Sequence, residues 1–122
     1  MATSEIPAVR RRDGVAVIDL VGDVNRGAEE ALEAAWMQAT DEPADAVILN
    51  FESAGYINST GIAVIVGLLA RARAAGIEVR AYGLTPHYRE IFEITRLSDF
   101  MQIFPDEATA LAGSTDEGGT NG

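Results

Sequence analysis

Apolar residues along the chain alternate between strand-like runs and helix-like spacing. The segments from Val15 to Val21 and from Asp45 to Phe51 are mostly β-branched or otherwise apolar, as in strands covered on both faces. The segments from Ala28 to Thr40 and from Ile62 to Ala75 instead repeat their apolar residues at helical spacing. Because strand and helix patterns alternate, the sequence predicts a layered α/β domain.

Shorter segments complete this prediction. Asp13-Gly14 predicts a tight hairpin turn, and Thr85-Pro86 predicts the N-cap and first residue of a helix. The further predicted elements are an edge strand from Ile6 to Arg12, a strand from Ile77 to Gly83, a helix after Thr85, a strand from Asp99 to Phe104 and a helix from Pro105 to Ala112. The predicted order is therefore β-β-α-β-α-β-α-β-α.

The chain has 122 residues, which is enough for one domain with one modest core. We predict that this domain covers residues 1–112. Residues 113–122 are rich in Gly, Ser, Thr and Asp, which predicts a disordered tail.

Charge and composition narrow the class of protein. The net charge of −10 disfavours nucleic acid and anionic membranes as partners, because both would repel the surface. It fits partners with basic patches, and equally a surface selected for solubility. No cysteine is present, which excludes disulfides and thiol chemistry. The longest apolar stretch, 61–70, is far shorter than the roughly 20 residues that span a bilayer, and no signal peptide is evident, so we expect a cytoplasmic protein.

The turn from Tyr56 to Gly61 joins a predicted buried strand to the helix that we expect to begin at Ile62. Ser59 lies at or near the N-terminus of that helix, and two interpretations follow. Ser59 or Thr60 caps the helix and stabilises it by about 1 kcal/mol. Alternatively, Ser59 is phosphorylated, because a helix N-terminus tolerates the added −1.5 to −2 charges. A phosphate there would act as a binding switch at an interface.

Residues for catalysis are scarce. His87 is the only histidine, so a metal site with two histidines is impossible, and neither a G-x-S-x-G motif nor a P-loop occurs around Ser59. We therefore predict that the protein is not an enzyme and has no metal or cofactor. Trp36 lies on the apolar stripe of its helix, which is more typical of a core anchor than of a partner-binding tryptophan.

Five sequence blocks occur in order between Val15 and Leu111. They are Gly22-Asp23-Val24-Asn25, Val47-Ile48-Leu49-Asn50-Phe51, Tyr56-Ile57-Asn58-Ser59-Thr60-Gly61-Ile62-Ala63-Val64-Ile65, Ala74-Ala75-Gly76-Ile77 and Ile91-Phe92-Glu93-Ile94-Thr95-Arg96-Leu97. With these blocks the chain resembles the STAS domain family, in particular the anti-sigma factor antagonists of bacterial partner-switching systems. The resemblance implies an α/β fold in which a mixed sheet of four or five strands packs with about four helices.

The resemblance also implies a function. An anti-sigma factor that is itself a serine kinase would bind the unphosphorylated protein and phosphorylate Ser59, with Thr60 as the alternative acceptor. Phosphorylation would break this complex, and a serine phosphatase would restore it. The residues that the resemblance places in partner binding are Asp23, Asn25, Asn58, Ser59, Thr60 and Gly61.

Two residues depart from the family pattern. The family usually has Asp where this chain has Asn58, and it often has an acidic residue where this chain has Asn25. Asp23 retains one carboxylate in the same region. The departures keep a second function open, that of a non-switching STAS scaffold or accessory subunit, either stressosome-type or part of an ABC lipid-transport complex.

Overall fold

The structure, a computed structural model that describes residues 7–113, contains a mixed five-stranded sheet with helices on both faces. The strands lie side by side in chain order, with β1 antiparallel to β2 and the other neighbours parallel. The strands are β1 (Ala8–Arg12), β2 (Val15–Val24), β3 (Ala46–Ile57), β4 (Glu78–Tyr82) and β5 (Gln102–Phe104). The helices are α1 (Glu29–Ala39), α2 (Ser59–Ala75), α3 (Pro86–Ile94) and α4 (Glu107–Ala112). The predicted α/β class, with a mixed sheet and about four helices, is confirmed.

Residues with positive φ form the turn after β1 and the end of α4. Asp13 and Gly14 form the predicted hairpin turn between β1 and β2, both with positive φ, 54° and 80°. Gly113 ends α4 in the left-handed conformation, with φ 79°. The other residues of the predicted tail, 114–122, and Ile6 of the predicted edge strand lie outside the described residues.

Strands β2 and β3 are longer than the sequence predicts. We expected them to end at Val21 and Phe51, with a loop over 22–27, but β2 continues to Val24 and β3 to Ile57. Pairing continues as Val21 with Ser53, Gly22 with Ala54 and Val24 with Ile57, and the register shifts between Asp19 and Val21 and again between Gly22 and Val24. Polar residues and glycine are normally turn formers, but here they form a bulged two-strand extension that carries the chain beyond the rest of the sheet.

Smaller boundary differences have local causes. Thr85 caps α3 as predicted, and its hydroxyl accepts a hydrogen bond from the Tyr88 N–H at 3.3 Å. The strand expected at 99–104 is shorter, because a 3-10 turn over Leu97–Asp99 precedes it. The last helix begins after Asp106, whose carboxylate caps it, rather than at Pro105.

Each face of the sheet has its own core. The larger core lies beneath α1, α2 and α3 and includes Trp36, which is 5% exposed, so its predicted role as a core anchor is confirmed. The smaller core lies on the opposite face, where α4 contributes Ala110. The sheet residues of this smaller core are Val15, Val17, Ala46, Ile48, Tyr82 and Phe104.

A half-buried ionic network joins β1, β2 and α4 on this second face. The Arg10 guanidinium donates to both carboxylate oxygens of Asp19, at 2.6 and 2.8 Å, and to Glu107 at 3.1 Å. The Tyr82 hydroxyl also donates to Glu107, at 2.8 Å, and the Asn50 amide donates to Asp19 at 2.7 Å. Burial alone would raise the pKa of Asp19, but the hydrogen bonds from Arg10 and Asn50 outweigh it and lower that pKa. Hydrogen bonds from Arg10 and Tyr82 likewise lower the pKa of Glu107.

These lowered pKa values predict the acid sensitivity of the fold. A carboxyl whose pKa is lower in the folded state stabilises the fold above its unfolded pKa, and this contribution disappears as the pH falls through the folded pKa. The free energy of unfolding should therefore decrease as the pH falls below about 5. Arg10→Met should lower it by about 1–3 kcal/mol at pH 7 and flatten its acid dependence.

Urea unfolding at neutral and acidic pH measures both effects. Arg71→Met is the matched control, because it removes an exposed ion pair with Glu33 at 3.6 Å and should leave the acid dependence unchanged. An equally steep acid dependence in Arg10→Met would contradict the role of this network.

Candidate functional site

The turn between β3 and α2 is tighter than the sequence predicts. Helix α2 begins at Ser59, three residues before the predicted Ile62, and Asn58 is its N-cap. The Asn58 side-chain oxygen accepts from the Gly61 N–H and from the Thr60 hydroxyl, both at 2.8 Å. The prediction that Ser59 or Thr60 caps the helix is therefore wrong. Asparagine is as good a cap as serine, and its position one residue earlier lets it reach the amide of the third helical residue.

Thr60 joins this turn to the one after β2. Its hydroxyl donates to Asn58 and accepts from the backbone N–H of Arg26 at 3.1 Å. The side chain is half-buried, and both of its hydrogen-bonding roles are filled. Thr60 thus holds the start of α2 against the 3-10 turn at Arg26–Ala28.

Ser59 differs from both of its neighbours in the hydrogen bonding of its side chain. It is exposed at the first position of α2, and its hydroxyl has no hydrogen-bond partner within residues 7–113. Its hydroxyl is therefore available to a reactant that approaches from solvent.

The segment after β2 packs directly against this turn. The Asp23 carboxylate accepts from the Tyr56 N–H at 2.9 Å, and the Val24 carbonyl accepts from the Asn58 N–H at 3.3 Å. Asn25 caps the 3-10 turn by accepting from the Gly27 N–H at 2.8 Å. The structure therefore brings together the two segments that supply all the predicted partner-binding residues.

Gly61 allows this close approach. A Cβ atom at Gly61 would overlap the carbonyl oxygen of Val24 and lie 2.6 Å from its carbonyl carbon. The residue is buried, so it shapes the site from beneath rather than exposing a side chain.

Sequence reasoning did not connect Tyr88 or Arg26 to the turn between β3 and α2. The Tyr88 hydroxyl accepts from the Ile57 N–H at 3.0 Å and so fixes the end of β3 against α3. Tyr56, one residue before Ile57, is 72% exposed beside the site. A half-apolar tyrosine on an amphipathic helix indicates a core position, and only the tertiary structure shows that it supports this turn.

The site presents an exposed hydroxyl, that of Ser59, which can act as the acceptor of a transferred group. His87 is exposed on α3 and packs against Tyr88, with ring centroids 5.1 Å apart, and the structure shows no hydrogen bond from it to Ser59. Within residues 7–113, no three metal-ligating side chains group together, and no helix is long and apolar enough to cross a membrane.

Comparison with known proteins gives both a family and a fold. Residues 7–110 match the family model described as the STAS domain. BtrV of Bordetella bronchiseptica, whose name assigns it as an anti-sigma factor antagonist, is 36% identical over 107 residues, which cover 84% of this chain and 90% of BtrV.

Two solved structures share the fold. An anti-sigma factor antagonist from Mycobacterium paratuberculosis superimposes with a TM-score of 0.74 at 20% identity, covering 93% of this chain and 96% of that one. The Bacillus cell fate determinant SpoIIAA in its phosphorylated form superimposes with a TM-score of 0.66 at 21% identity, covering 88% of this chain and 97% of SpoIIAA.

Proposed function

Because the chain belongs to the STAS domain family, we propose that it is an anti-sigma factor antagonist switched by phosphorylation of Ser59. In this proposal the unphosphorylated protein binds an anti-sigma factor that is a serine kinase, which frees the sigma factor. Phosphorylation of Ser59 releases the kinase, and a phosphatase restores binding. The protein acts in the cytoplasm, as substrate and ligand of the kinase.

One observation carries the proposal. Ser59 is exposed and its hydroxyl has no partner among the described residues, whereas the adjacent Thr60 hydroxyl both donates and accepts a hydrogen bond. Phosphorylation of Thr60 would break two contacts that hold the turn, whereas phosphorylation of Ser59 breaks none within residues 7–113. The existence of a phosphorylated form of SpoIIAA, which shares this fold, supports the same interpretation.

The amide caps also suit a phosphoacceptor. Asn58 and Asn25 fill the cap positions that start α2 and the 3-10 turn, and neither adds negative charge beside Ser59. The positive end of the α2 dipole further favours an anion at its first residue. A phosphate on Ser59 is therefore compatible with the fold, and its main effect falls on whatever binds there.

The surface that meets the kinase then contains the exposed members of the predicted set, Asp23, Asn58 and Ser59. Asn25 and Thr60 are half-buried and Gly61 is buried, so their role is to hold the exposed residues in place. A phosphate of −1.5 to −2 charges at the centre of this surface must be desolvated whenever a partner covers it.

Phosphate mapping is the direct test. The γ-phosphoryl group of ATP passes to the Ser59 oxygen, its bond to ADP breaks, and the hydroxyl proton leaves to a base that the kinase supplies. Incubation with the cognate kinase, captured with unphosphorylated protein, and with ATP should yield one phosphate on Ser59 by mass spectrometry. Ser59→Ala should take up none.

Two other results would change this conclusion. Phosphate on Thr60 in the Ser59→Ala variant would show that the proposal assigns the switch to the wrong residue. Stable binding to the kinase with no phosphate on either residue would instead support the non-switching scaffold or accessory subunit, whose distinguishing feature is the pair of amides Asn25 and Asn58.

A further inference from the structure

Arg26 is held beside the start of α2. Its backbone N–H donates to the Thr60 hydroxyl at 3.1 Å, which fixes its backbone against the residue that follows Ser59. The side chain is exposed, and its guanidinium forms neither an ion pair nor a hydrogen bond within residues 7–113.

Most other cations of this acidic protein are already engaged. All nine basic residues are arginines. Six of them lie within 4 Å of a carboxylate, and Arg73 lies over the Phe100 ring at 5.5 Å. Arg89 is the other arginine with no carboxylate partner among the described residues, and it lines a groove beside β5. Arg26 is therefore the uncommitted cation next to Ser59.

The negative groups near Arg26 leave it free to meet a new anion. Asp23 already accepts from the Tyr56 N–H, and Glu29 and Glu30 are exposed in the first turn of α1 without an ion pair to Arg26. The caps on either side, Asn25 and Asn58, are neutral amides. A guanidinium binds phosphate through two parallel hydrogen bonds, so it prefers a phosphate to a distant carboxylate.

We propose that Arg26 forms a salt bridge with the phosphate on Ser59 and makes that phosphate fully dianionic near neutral pH. This inference rests on the proposed phosphorylation of Ser59. A phosphoserine has a second pKa near 6, and a cation within a few ångströms lowers it. Arg26 is then a positioning residue, because it fixes both the direction of the phosphate and its charge.

The test does not need the kinase. Phosphoserine is incorporated at position 59 during synthesis, and its second pKa is measured by a ³¹P NMR titration of the folded full chain. Arg26→Gln should raise that pKa by about 0.5 unit, and Arg26→Lys should restore most of the original value.

Arg73→Gln is the matched control. It removes the same charge, but from a position about 20 Å along α2 from Ser59, which is more than the Debye length of about 10 Å at 0.1 M salt. It should therefore leave the phosphate pKa unchanged. Asp23, Glu29, Glu30 and His87 are the same in every variant, so the variants differ only in the arginine that is replaced.

An unchanged phosphate pKa in Arg26→Gln, or an equal rise in Arg73→Gln, would overturn the salt bridge. A ¹⁵N correlation spectrum of each variant checks that its fold is intact. Absence of kinase-catalysed labelling at Ser59 would instead overturn the proposed function, and it would leave the titration result standing, so the two failures are distinguishable.

Discussion

Gly61→Ala should lower the free energy of unfolding by about 2–4 kcal/mol. Its new methyl group would overlap the Val24 carbonyl oxygen, and that carbonyl is backbone that also accepts the Asn58 N–H. The segment after β2 and the start of α2 would have to separate. Because the hydrogen bond from Arg26 to Thr60 crosses the same boundary, the site would lose its shape together with its stability.

Gly67→Ala in the same helix is the matched control. Within residues 7–113, no atom other than those of the adjoining residues and backbone of α2 lies within 4 Å of a Cβ built there, and the position is exposed. Alanine is a better helix former than glycine, so this variant should gain about 0.5–1 kcal/mol. Urea denaturation of both variants measures these two changes in the free energy of unfolding, which should have opposite signs. If Gly61→Ala were as stable as the unaltered protein, the segment after β2 and the start of α2 would be able to separate at little cost.

Ser59→Asp should weaken binding to the kinase by ~1–3 kcal/mol, which is roughly 5- to 150-fold in Kd. The carboxylate adds a charge at the point where the partner must remove water. The same charge favours the fold, because an acidic residue in the first turn of a helix interacts well with its dipole. The melting temperature should therefore be unchanged or slightly higher, which separates lost binding from lost structure.

Calorimetric titration of the kinase measures this change in affinity. Gln102→Glu is the matched control, since it adds one carboxylate at an exposed position on β5, the strand at the opposite edge of the sheet from β1. Ser59→Ala should bind like the unaltered protein, because it adds neither charge nor bulk. Affinity that is the same in Ser59→Asp and Gln102→Glu would mean that charge at Ser59 does not control the complex.

The sequence predicts the fold where burial controls the pattern. The strands at Val15 to Val21 and at 46–51 are mostly apolar because both faces of the sheet are covered there, and they appear as expected. The ends of β2 and β3 were missed, because Gly22, Asp23 and Gly55 have the composition of loops. Their pairing depends on the partner strand and on two register shifts, which a single segment does not encode.

The start of α2 was misplaced for a related reason. The apolar stripe begins at Ile62, but the helix already includes Ser59, Thr60 and Gly61, whose small polar or absent side chains carry no hydrophobic periodicity. Asn58 is a strong cap by residue type, but Ser59 and Thr60 are equally good candidates. Only the hydrogen bonds of the folded chain distinguish among them.

The predicted partner-binding residues come from two segments that the structure brings into contact, and phosphorylation of Ser59 remains a prediction. The role that we propose for Arg26 was not accessible from the sequence. Its position depends on a hydrogen bond between backbone and side chain across 34 residues of chain, and the arginine itself resembles any solvated charge in a turn.

The order of the strands bears on how the chain completes its own fold. Each parallel strand pairs with the strand made just before it, so the sheet can grow outward in the order of synthesis. The face beneath α1, α2 and α3 is closed as those helices emerge, but the opposite face waits for α4, a helix of six residues. Val17, Ile48 and Tyr82 are therefore covered only after α4 has been made, and until then these side chains stay in contact with water.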